Sequence, residues 1–299
     1  MDRVLSLTVF RRVAELRSFS AAARDLQLSN AAVSKHVAAL EERVKAQLLQ
    51  RTTRRVVLTA AGTAYLERAA RILDELDDLD QRATGATAAL SGRLRINAPL
   101  SFGIVHVMPL IETFAKKWPD LSLDVQLTDQ IVDLVAEGVD VGIRVTRSIA
   151  DSSSLVAHRV ARVGYVVCAA PSYLAKRGVP KTPADLADHD CILYDTPEWT
   201  LVHGDRASRV TVGDKLRINN SLAIRDAVVA GMGVSILPVP YVDEHLRKKR
   251  LRALLPQYTV QPATVHVVYA KQRHTSAKIR AFVDHVRDGF ARTRWGQSS

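Results

Sequence analysis

The sequence predicts an α/β protein of three parts: a small helical domain that ends in a β-hairpin, a long helix, and a larger α/β domain. Three observations support this prediction. Apolar residues recur at helical spacing before residue 45, and two short strand-like runs follow them. Residues 60–90 contain no proline and carry a heptad repeat. Beyond Gly92, strand-like and helix-like runs alternate, which is typical of α/β domains.

The first feature is a pair of helices separated by a tight break. Ser20 is a potential N-cap for a short helix at residues 21–26, and Ser29 can cap a second helix. Apolar residues at spacings of four, three and four predict that the second helix buries one face, made of Val33, Val37, Leu40 and Val44.

The opposite face of the second helix carries short or polar side chains: Asn30, Ala31, Ser34, Lys35 and Ala38. Such residues let a helix approach base edges closely, and those near its N-terminus can hydrogen-bond to bases or phosphates. Taken alone, this pattern also fits an amphipathic helix in an ordinary bundle. We expect a DNA contact from Ser29, Asn30, Ala31, Ser34 and Lys35.

The next residues favour the DNA-binding interpretation. Arg51, Arg54 and Arg55 lie where two short strands would meet in a hairpin, so a cationic tip would stand beside the second helix. Residues 1–60 hold eleven lysines and arginines against five acids, in a chain of net charge +11. The basic excess lies where DNA contact is expected.

The long helix has the pattern of a subunit interface. Its apolar positions repeat at alternating spacings of four and three: Tyr65, Ala69, Ile72, Leu76, Leu79, Ala83, Ala86 and Leu90. A narrow apolar stripe on an otherwise acidic helix needs a partner to bury it, which favours pairing of two subunits. A solvated helix in a larger bundle is the alternative.

The C-terminal part alternates strand and helix patterns, which predicts a domain with largely parallel strands. The predicted segments of its first half are 94–98, 109–117, 121–128, 131–137 and 141–145, with 109–117 and 131–137 helical. A second series begins near Arg162, with strands at 165–169, 235–237 and 265–269 and helices at 183–187, 220–230 and 276–290.

These motifs resemble the LysR-type transcriptional regulator family. The resemblance rests on A-A-x-x-L-x-L-S-x-x-A-V-S-K and L-x-x-R-x-x-R-x-V-x-L-T-x-A-G, and, further on, on the segments beginning at Gly92, Asp140 and Gly231. Leu49 replaces a frequent aromatic residue, and Asn30-Ala31 replaces a frequent Gln-Pro.

The resemblance implies a winged helix-turn-helix at residues 1–60, a linker (dimerisation) helix at 61–90, and an effector-binding domain at 91–299. That domain would have two lobes, as in periplasmic binding proteins, with lobe I at about 91–162 and 268–299 and lobe II at about 163–267. The implied partners are a double-stranded DNA operator with an interrupted inverted repeat, a small-molecule effector, a second copy of the chain, often doubled to a tetramer, and RNA polymerase if the protein is an activator.

In that arrangement, residues of both lobes would converge on an anionic effector: Leu100, Ser101, Phe102, Arg144, Asn219, Asn220 and Ser221. Helix capping is the alternative for Asn219, Asn220 and Ser221, and the two roles are compatible. An internal salt bridge, with Asp140 for example, is the alternative for Arg144. Tyr194 and Trp199 are candidates for the pocket wall or for the core.

Other classes of protein lack support in the sequence. No Gly-x-Ser-x-Gly, His-Glu-x-x-His, Walker loop or dinucleotide fingerprint occurs, so we expect no catalysis and no cofactor. Cys168 and Cys191 are expected to be reduced core residues. The absence of an export signal and of a membrane-length apolar run predicts a cytoplasmic protein without a membrane partner, and argues against a periplasmic binding protein.

Overall fold

The computed structural model describes residues 2–51, 56–83, 90–148, 154–271, 276–293 and 295. The chain divides into two compact units, Met1–Gly92 and Arg93–Ser299. The first unit contains α1 (Arg3–Leu16), α2 (Phe19–Asp25), α3 (Asn30–Val44), β1 (Leu49–Arg51), β2 (Val56–Leu58) and α4 (Ala60–Ala83).

Helices α2 and α3 form the expected helix-turn-helix, with one change at the first cap. Ser18, not Ser20, caps α2, because Ser18 has extended backbone angles and its hydroxyl accepts the N–H of Ala21 at 3.2 Å. Ser29 caps α3 as predicted and accepts the N–H of Ala32 at 3.1 Å. Between the helices, Gln27 adopts a positive φ of 56°, which turns the chain.

The core of the first unit forms where α1, α2 and α3 meet the start of α4. Val33, Val37 and Leu40 are buried as predicted, and Val44 packs against them while half-buried. At the surface beside this core, the Arg12 guanidinium of α1 binds both carboxylate oxygens of Asp25 in α2, at 2.6 and 2.7 Å. The shared apolar core holds the three helices together, and the ion pair adds a surface contact between α1 and α2.

The predicted hairpin is present. Strands β1 and β2 pair antiparallel, with Leu49 opposite Leu58 and Arg51 opposite Val56. Its tip, residues 52–55, lies outside the described residues and includes Arg54 and Arg55.

The predicted heptad stripe of α4 divides into two parts. Tyr65 and Ala69 pack into the core of their own unit together with Leu73, which is not a stripe position. Ile72 and Leu76 are exposed, at 47% and 37%. Ala86 and the side chains of Leu79 and Ala83 lie outside the described residues. Of the stripe positions that the structure describes, Ile72 and Leu76 are therefore open to a partner, whereas Leu90, beyond the end of α4, is buried.

The second unit contains two five-stranded sheets. The first has the order β4-β3-β5-β14-β6 and is formed by β3 (Gly92–Ala98), β4 (Leu121–Leu127), β5 (Val141–Thr146), β6 (Leu155–Val163) and β14 (Ala263–Ala270). A helical run joins β3 to β4 and consists of α5 (Leu100–Phe102), a π-helical turn (Gly103–Val107) and α6 (Met108–Lys117). Helix α10 (Ala277–Ala291) packs against α6 through Phe282, whose ring lies 5.2 Å from that of Phe114.

The second sheet has the order β11-β8-β12-β7-β13. Its strands are β7 (Tyr165–Ala169), β8 (Asp190–Leu193), β11 (Gly213–Arg217), β12 (Val234–Pro238) and β13 (Arg252–Leu254). The segments around it are α7 (Pro171–Arg177), a 3₁₀ turn (Ala184–Asp188), a hairpin of β9 (Glu198–His203) and β10 (Arg206–Thr211), α8 (Ser221–Val229) and α9 (Val239–Arg247). The chain crosses between the sheets at Gly164 and again between Leu254 and Ala263. Two crossing segments therefore join two lobes: lobe I is built around the first sheet and lobe II around the second.

Three expectations for this unit are wrong. The sheets are mixed, because β14 is antiparallel to β5 and β6, and β7 is antiparallel to β12 and β13. Residues 131–137 form turns instead of a helix: the Asp133 carboxylate accepts the N–H groups of Val135 and Ala136, and Gly138 ends the turn with φ of 68°. The lobe boundary at residue 267–268 would cut through β14, which belongs entirely to the first sheet.

Gly62 in the Thr-Ala-Ala-Gly turn permits a close approach between α4 and the hairpin. A Cβ at this position would lie 1.9 Å from the carbonyl oxygen of Leu48, which itself accepts the N–H of Thr59 at 3.0 Å. The backbone must shift to admit any side chain.

We predict that Gly62→Ala costs about 3 kcal/mol or more and lowers the melting temperature of the first unit by more than about 10 °C. Ala61→Ser, at an exposed neighbour, is the control, and an unchanged midpoint for Gly62→Ala would refute this explanation.

Candidate functional site

The N-terminal end of α3 presents most of the expected DNA-binding residues to solvent. Ser29, Asn30, Ala31 and Lys35 are exposed, and Ser34 is half-buried. The hydroxyl of Ser29 is used in the cap, so this residue positions the helix as well as bordering its surface. An exposed helix N-terminus with short side chains and one cation is suited to the negative surface of DNA.

Two residues that the sequence analysis did not single out fix α3 in place. The Glu41 carboxylate accepts the backbone N–H groups of Leu48 and Leu49 at 2.7 and 3.0 Å, which ties α3 to the first strand of the hairpin. On the other side, the His36 ring lies 2.9 Å from the hydroxyl of Ser6 in α1, and both residues are buried. The exposed face of α3 is therefore held rigidly between α1 and the hairpin.

The hairpin places the backbone of Arg51 at the end of β1. The side chain of Arg51, and Arg54 and Arg55 entirely, lie outside the described residues. Their contact with phosphate remains an expectation from the sequence.

Helix α3 provides the first prediction for this site. Lys35→Ala should weaken binding to duplex DNA about tenfold without changing the thermal midpoint, because Lys35 is exposed and its removal leaves the core intact. Arg43→Ala is the matched control: it removes the same charge from an exposed position about 12 Å further along the helix. Equal losses for both variants in a fluorescence-anisotropy titration would indicate a general charge effect and no contact at Lys35.

In the second unit, the residues expected to bind an effector lie at or near the carboxyl ends of parallel strands in both sheets. Leu100 follows β3, Arg144 lies in β5, and Asn219 to Ser221 follow β11. Tyr194 and Asp195 follow β8, and Tyr241 follows β12. Ligands of open α/β sheets bind outside such strand ends. Burial raises the pKa of Tyr194 and of Tyr241 in lobe II. The negative charge of Asp129 in lobe I adds to this rise, as the next cause for Tyr194 and after Tyr165 for Tyr241.

Residues Leu100 to Phe102 form α5, directly after the carboxyl end of β3, where the sequence predicts one wall of the interlobe cleft. The hydroxyl of Ser101 is buried and has no hydrogen-bond partner among the described residues. Phe102 is also buried and packs against the rings of His106, Phe290 and Trp295. The backbone N–H of Leu100 is already used, because it donates to the carboxylate of Asp129 at 2.9 Å. At the start of α5, the Ser101 hydroxyl is therefore free of hydrogen bonds among the described residues, whereas the N–H of Leu100 is bound to the Asp129 carboxylate.

Arg144 is a half-buried cation held by uncharged acceptors. Its Nη1 donates to the Asn97 side-chain oxygen at 2.6 Å and to the Ile143 carbonyl at 2.9 Å, and its Nη2 donates to the Val132 carbonyl at 3.2 Å. In the described part of the chain no acid forms an ion pair with it, so the alternative of a salt bridge with Asp140 does not hold. Burial lowers the pKa of Arg144 from its usual value, but an arginine stays charged at any physiological pH.

On the opposite wall, the capping alternative applies to Asn220. Its side-chain oxygen accepts the N–H groups of Leu222 and Ala223, both at 3.1 Å. Asn219 is exposed, and Ser221 is half-buried at the first position of α8. Because Asn220 makes its cap through the oxygen, its amide N–H groups are the donors it can still offer.

Aromatic residues surround the cleft. Trp199 is a core residue of lobe II, whereas Tyr194 is 45% exposed. Three further groups lie here that were not predicted from the sequence. They are Tyr165, whose ring lies 5.8 Å from the guanidinium of Arg147; Tyr241; and His106, whose ring stacks on that of Tyr241 at 5.7 Å. Burial lowers the pKa of His106 to about 4, so this ring is neutral near pH 7. The π-helical turn that carries His106 offered no recognisable sequence signal.

The cysteines do not pair. Both are buried and free, and burial raises the pKa of each thiol to about 12. The strand register aligns Cys191 with Val234 and Ala169, whereas Cys168 aligns with Ser235, so the two thiols project from opposite faces of the sheet. Among the described residues no cluster of His, Cys, Asp or Glu could hold a metal ion, and no helix is long and apolar enough to cross a membrane.

Two family models match this arrangement. Residues 5–63 match the bacterial regulatory helix-turn-helix protein, lysR family, and residues 87–291 match the LysR substrate binding domain. Similar curated proteins include an uncharacterised HTH-type transcriptional regulator of Haemophilus influenzae, 35% identical over 93% of this chain and 98% of the relative. The activator AaeR of Escherichia coli is 31% identical over 97% of this chain and 94% of its own.

Solved structures show the same organisation. The full-length virulence activator AphB of Vibrio cholerae is 26% identical with a TM-score of 0.61, and covers 96% of this chain and 98% of its own. CrgA of Neisseria meningitidis is 28% identical with a TM-score of 0.61, and covers 95% of this chain and 97% of its own.

The two family models and the named relatives therefore identify a DNA-binding transcriptional regulator with a substrate-binding domain. The chain belongs to the LysR family. The winged helix-turn-helix and the α/β character predicted from the sequence are confirmed.

Asp129 supplies the second prediction for this site. Asp129→Asn keeps an acceptor oxygen for the N–H of Leu100 but removes a negative charge from the cleft. We predict that it strengthens binding of a small carboxylate, benzoate, about tenfold by calorimetry, because the probe no longer meets a like charge. Asp133→Asn, an exposed acid of the following turn, is the control. Weaker benzoate binding by Asp129→Asn would show that Asp129 assists the ligand instead.

Proposed function

We propose that this regulator binds an interrupted inverted repeat as a homodimer or tetramer, and that a small anionic effector bound between its two lobes controls it. The single observation that carries the DNA part is the exposed, Ser29-capped N-terminal end of α3, held beside the hairpin by Glu41. Ser29, Asn30, Ala31, Ser34 and Lys35 would face the major groove, and Arg51, Arg54 and Arg55 would contact phosphates.

The anionic character of the effector is supported by Arg144 and Ser101. A half-buried cation without an acidic partner and a buried hydroxyl without a hydrogen bond are both costly, and a carboxylate would satisfy both. Leu100 and Phe102 would line the same wall, and Asn219, Asn220 and Ser221 would close on the ligand from lobe II. The Asp129 carboxylate at the N–H of Leu100 marks a position that an anion already favours.

Self-association is supported by the exposed apolar residues of α4. Ile72 and Leu76 point away from the core of their own unit, and a second copy of the helix would bury them. In the cytoplasm, a dimer would present two copies of α3, the recognition helix, to the two halves of a symmetric operator. If the protein activates transcription, RNA polymerase would be a further partner.

Selection of random duplex DNA by the purified full-length chain, followed by sequencing of the bound pool, tests this proposal. We expect an interrupted inverted repeat whose affinity falls steeply with salt, since several phosphates are neutralised. The selection is repeated with Lys35→Ala. Enrichment of a single, unrepeated half-site would refute the dimer. If the Lys35→Ala variant enriches the same repeat and binds it as tightly as the wild type does, the assignment of α3 to the DNA contact is refuted.

A further inference from the structure

Lobe II contains a second cavity, of about 440 Å³, that none of the predicted site residues lines. The residues important here are Lys176, Arg177, Asp190, Lys215, Leu216 and Met232. Asp190 begins β8, whereas Tyr194 at the cleft follows the end of the same strand. The cavity and the cleft therefore lie at opposite ends of β8, which is roughly 10 Å long.

The cavity has an excess of positive charge. The Asp190 carboxylate lies 3.2 Å from the Lys215 ammonium and 3.9 Å from Nε of Arg177. Within the described part of the chain, Lys176 has no acidic partner. Three cations thus face one carboxylate, and a net charge of about +2 is left for a ligand to neutralise.

The dipole of helix α7 accounts for only part of this excess of positive charge. Lys176 and Arg177 lie in the last turn of α7, where cations are favourable beside the free carbonyl groups. Lys215 comes from a separate element, the edge strand β11, and brings its ammonium group to the same cavity. Cations from two elements meet here around a space that the protein leaves open.

The remaining wall is apolar and closely fitted. Leu216 and Met232 contribute aliphatic surface, and Met232 is 48% exposed. Gly231 has a φ of 79°, and a Cβ there would lie 2.8 Å from the hydroxyl of Ser172, so bare backbone forms this part of the wall. The buried Tyr173 hydroxyl accepts the N–H of Asp190 at 2.8 Å and holds the start of β8 in position.

We propose that this cavity is a second ligand site, distinct from the interlobe cleft, that binds a small organic anion with an apolar body. The charged group, a carboxylate, phosphate or sulfonate, binds Lys176, Arg177 and Lys215, and the apolar body lies on Leu216 and Met232. Specificity requires both parts, since an inorganic anion lacks apolar contact and a neutral aromatic molecule leaves the excess positive charge unneutralised.

The fluorescent anion 8-anilino-1-naphthalenesulfonate tests the site in the full-length chain. We expect saturable binding that phenyl phosphate displaces and phenol does not. The double variant Lys176→Gln/Lys215→Gln should weaken binding at least tenfold. A second variant, Met232→Glu, should do the same by placing a carboxylate against the apolar wall. These residues are at the surface, and an unchanged circular dichroism spectrum verifies the fold of each variant.

Two controls separate this site from other anion-binding surfaces. Arg247→Gln/Lys248→Gln removes two exposed cations from α9 and should leave binding unchanged. Ser101→Ala changes the interlobe cleft and should also have no effect. The proposal is overturned if the wild-type chain shows no saturable binding, if Lys176→Gln/Lys215→Gln binds as the wild type does, or if Ser101→Ala alone abolishes binding. Failure of the cleft to bind an effector would leave these results unaffected.

Discussion

The carboxylate of Glu41 holds the recognition helix and the hairpin in one arrangement, and the DNA-binding surface depends on this contact. Two backbone N–H groups at the start of the hairpin donate to one carboxylate oxygen. The neighbouring carbonyl of Leu48 receives the N–H of Thr59, and Gly62 allows α4 to pass directly over it. Helix, hairpin and linker therefore meet at Leu48, so a change at any of them alters how α3 is presented.

Lobe I and lobe II are joined by two crossing segments, and the Asp129 carboxylate of lobe I lies near two tyrosines of lobe II. The Asp129 carboxylate accepts the N–H of Leu100, and its negative charge contributes to the raised pKa of Tyr194 and of Tyr241 in the other lobe. Arg144 adds a cation that donates to three uncharged acceptors, the side-chain amide of Asn97 and the carbonyl groups of Ile143 and Val132. An anion entering between the lobes would meet both a favourable and an opposing charge, which makes ligand binding sensitive to the position of Asp129.

The sequence predicted the features that arise from local periodicity. The buried face of α3, its Ser29 cap, the hairpin and most elements of the second unit follow from spacing within a few residues. Features that depend on contacts distant in sequence were missed: the Glu41 contact with Leu48, the Asp129 contact with Leu100, and the antiparallel placement of β14. The helix expected at residues 131–137 is reduced to a single turn, because Asp133 caps the start of that turn and Gly138, with φ of 68°, ends it.

Hydrogen exchange at the backbone amides of Leu48 and Leu49, compared between the wild type and Glu41→Ala, tests this account most directly. Glu42→Ala, at the exposed neighbouring acid, is the control. We predict that Glu41→Ala lowers the protection of these two amides at least tenfold, leaves the amides of α3 protected, and weakens operator binding, whereas Glu42→Ala changes none of these. Unchanged protection of Leu48 and Leu49 in Glu41→Ala would contradict the claim that this carboxylate fixes the hairpin to the recognition helix.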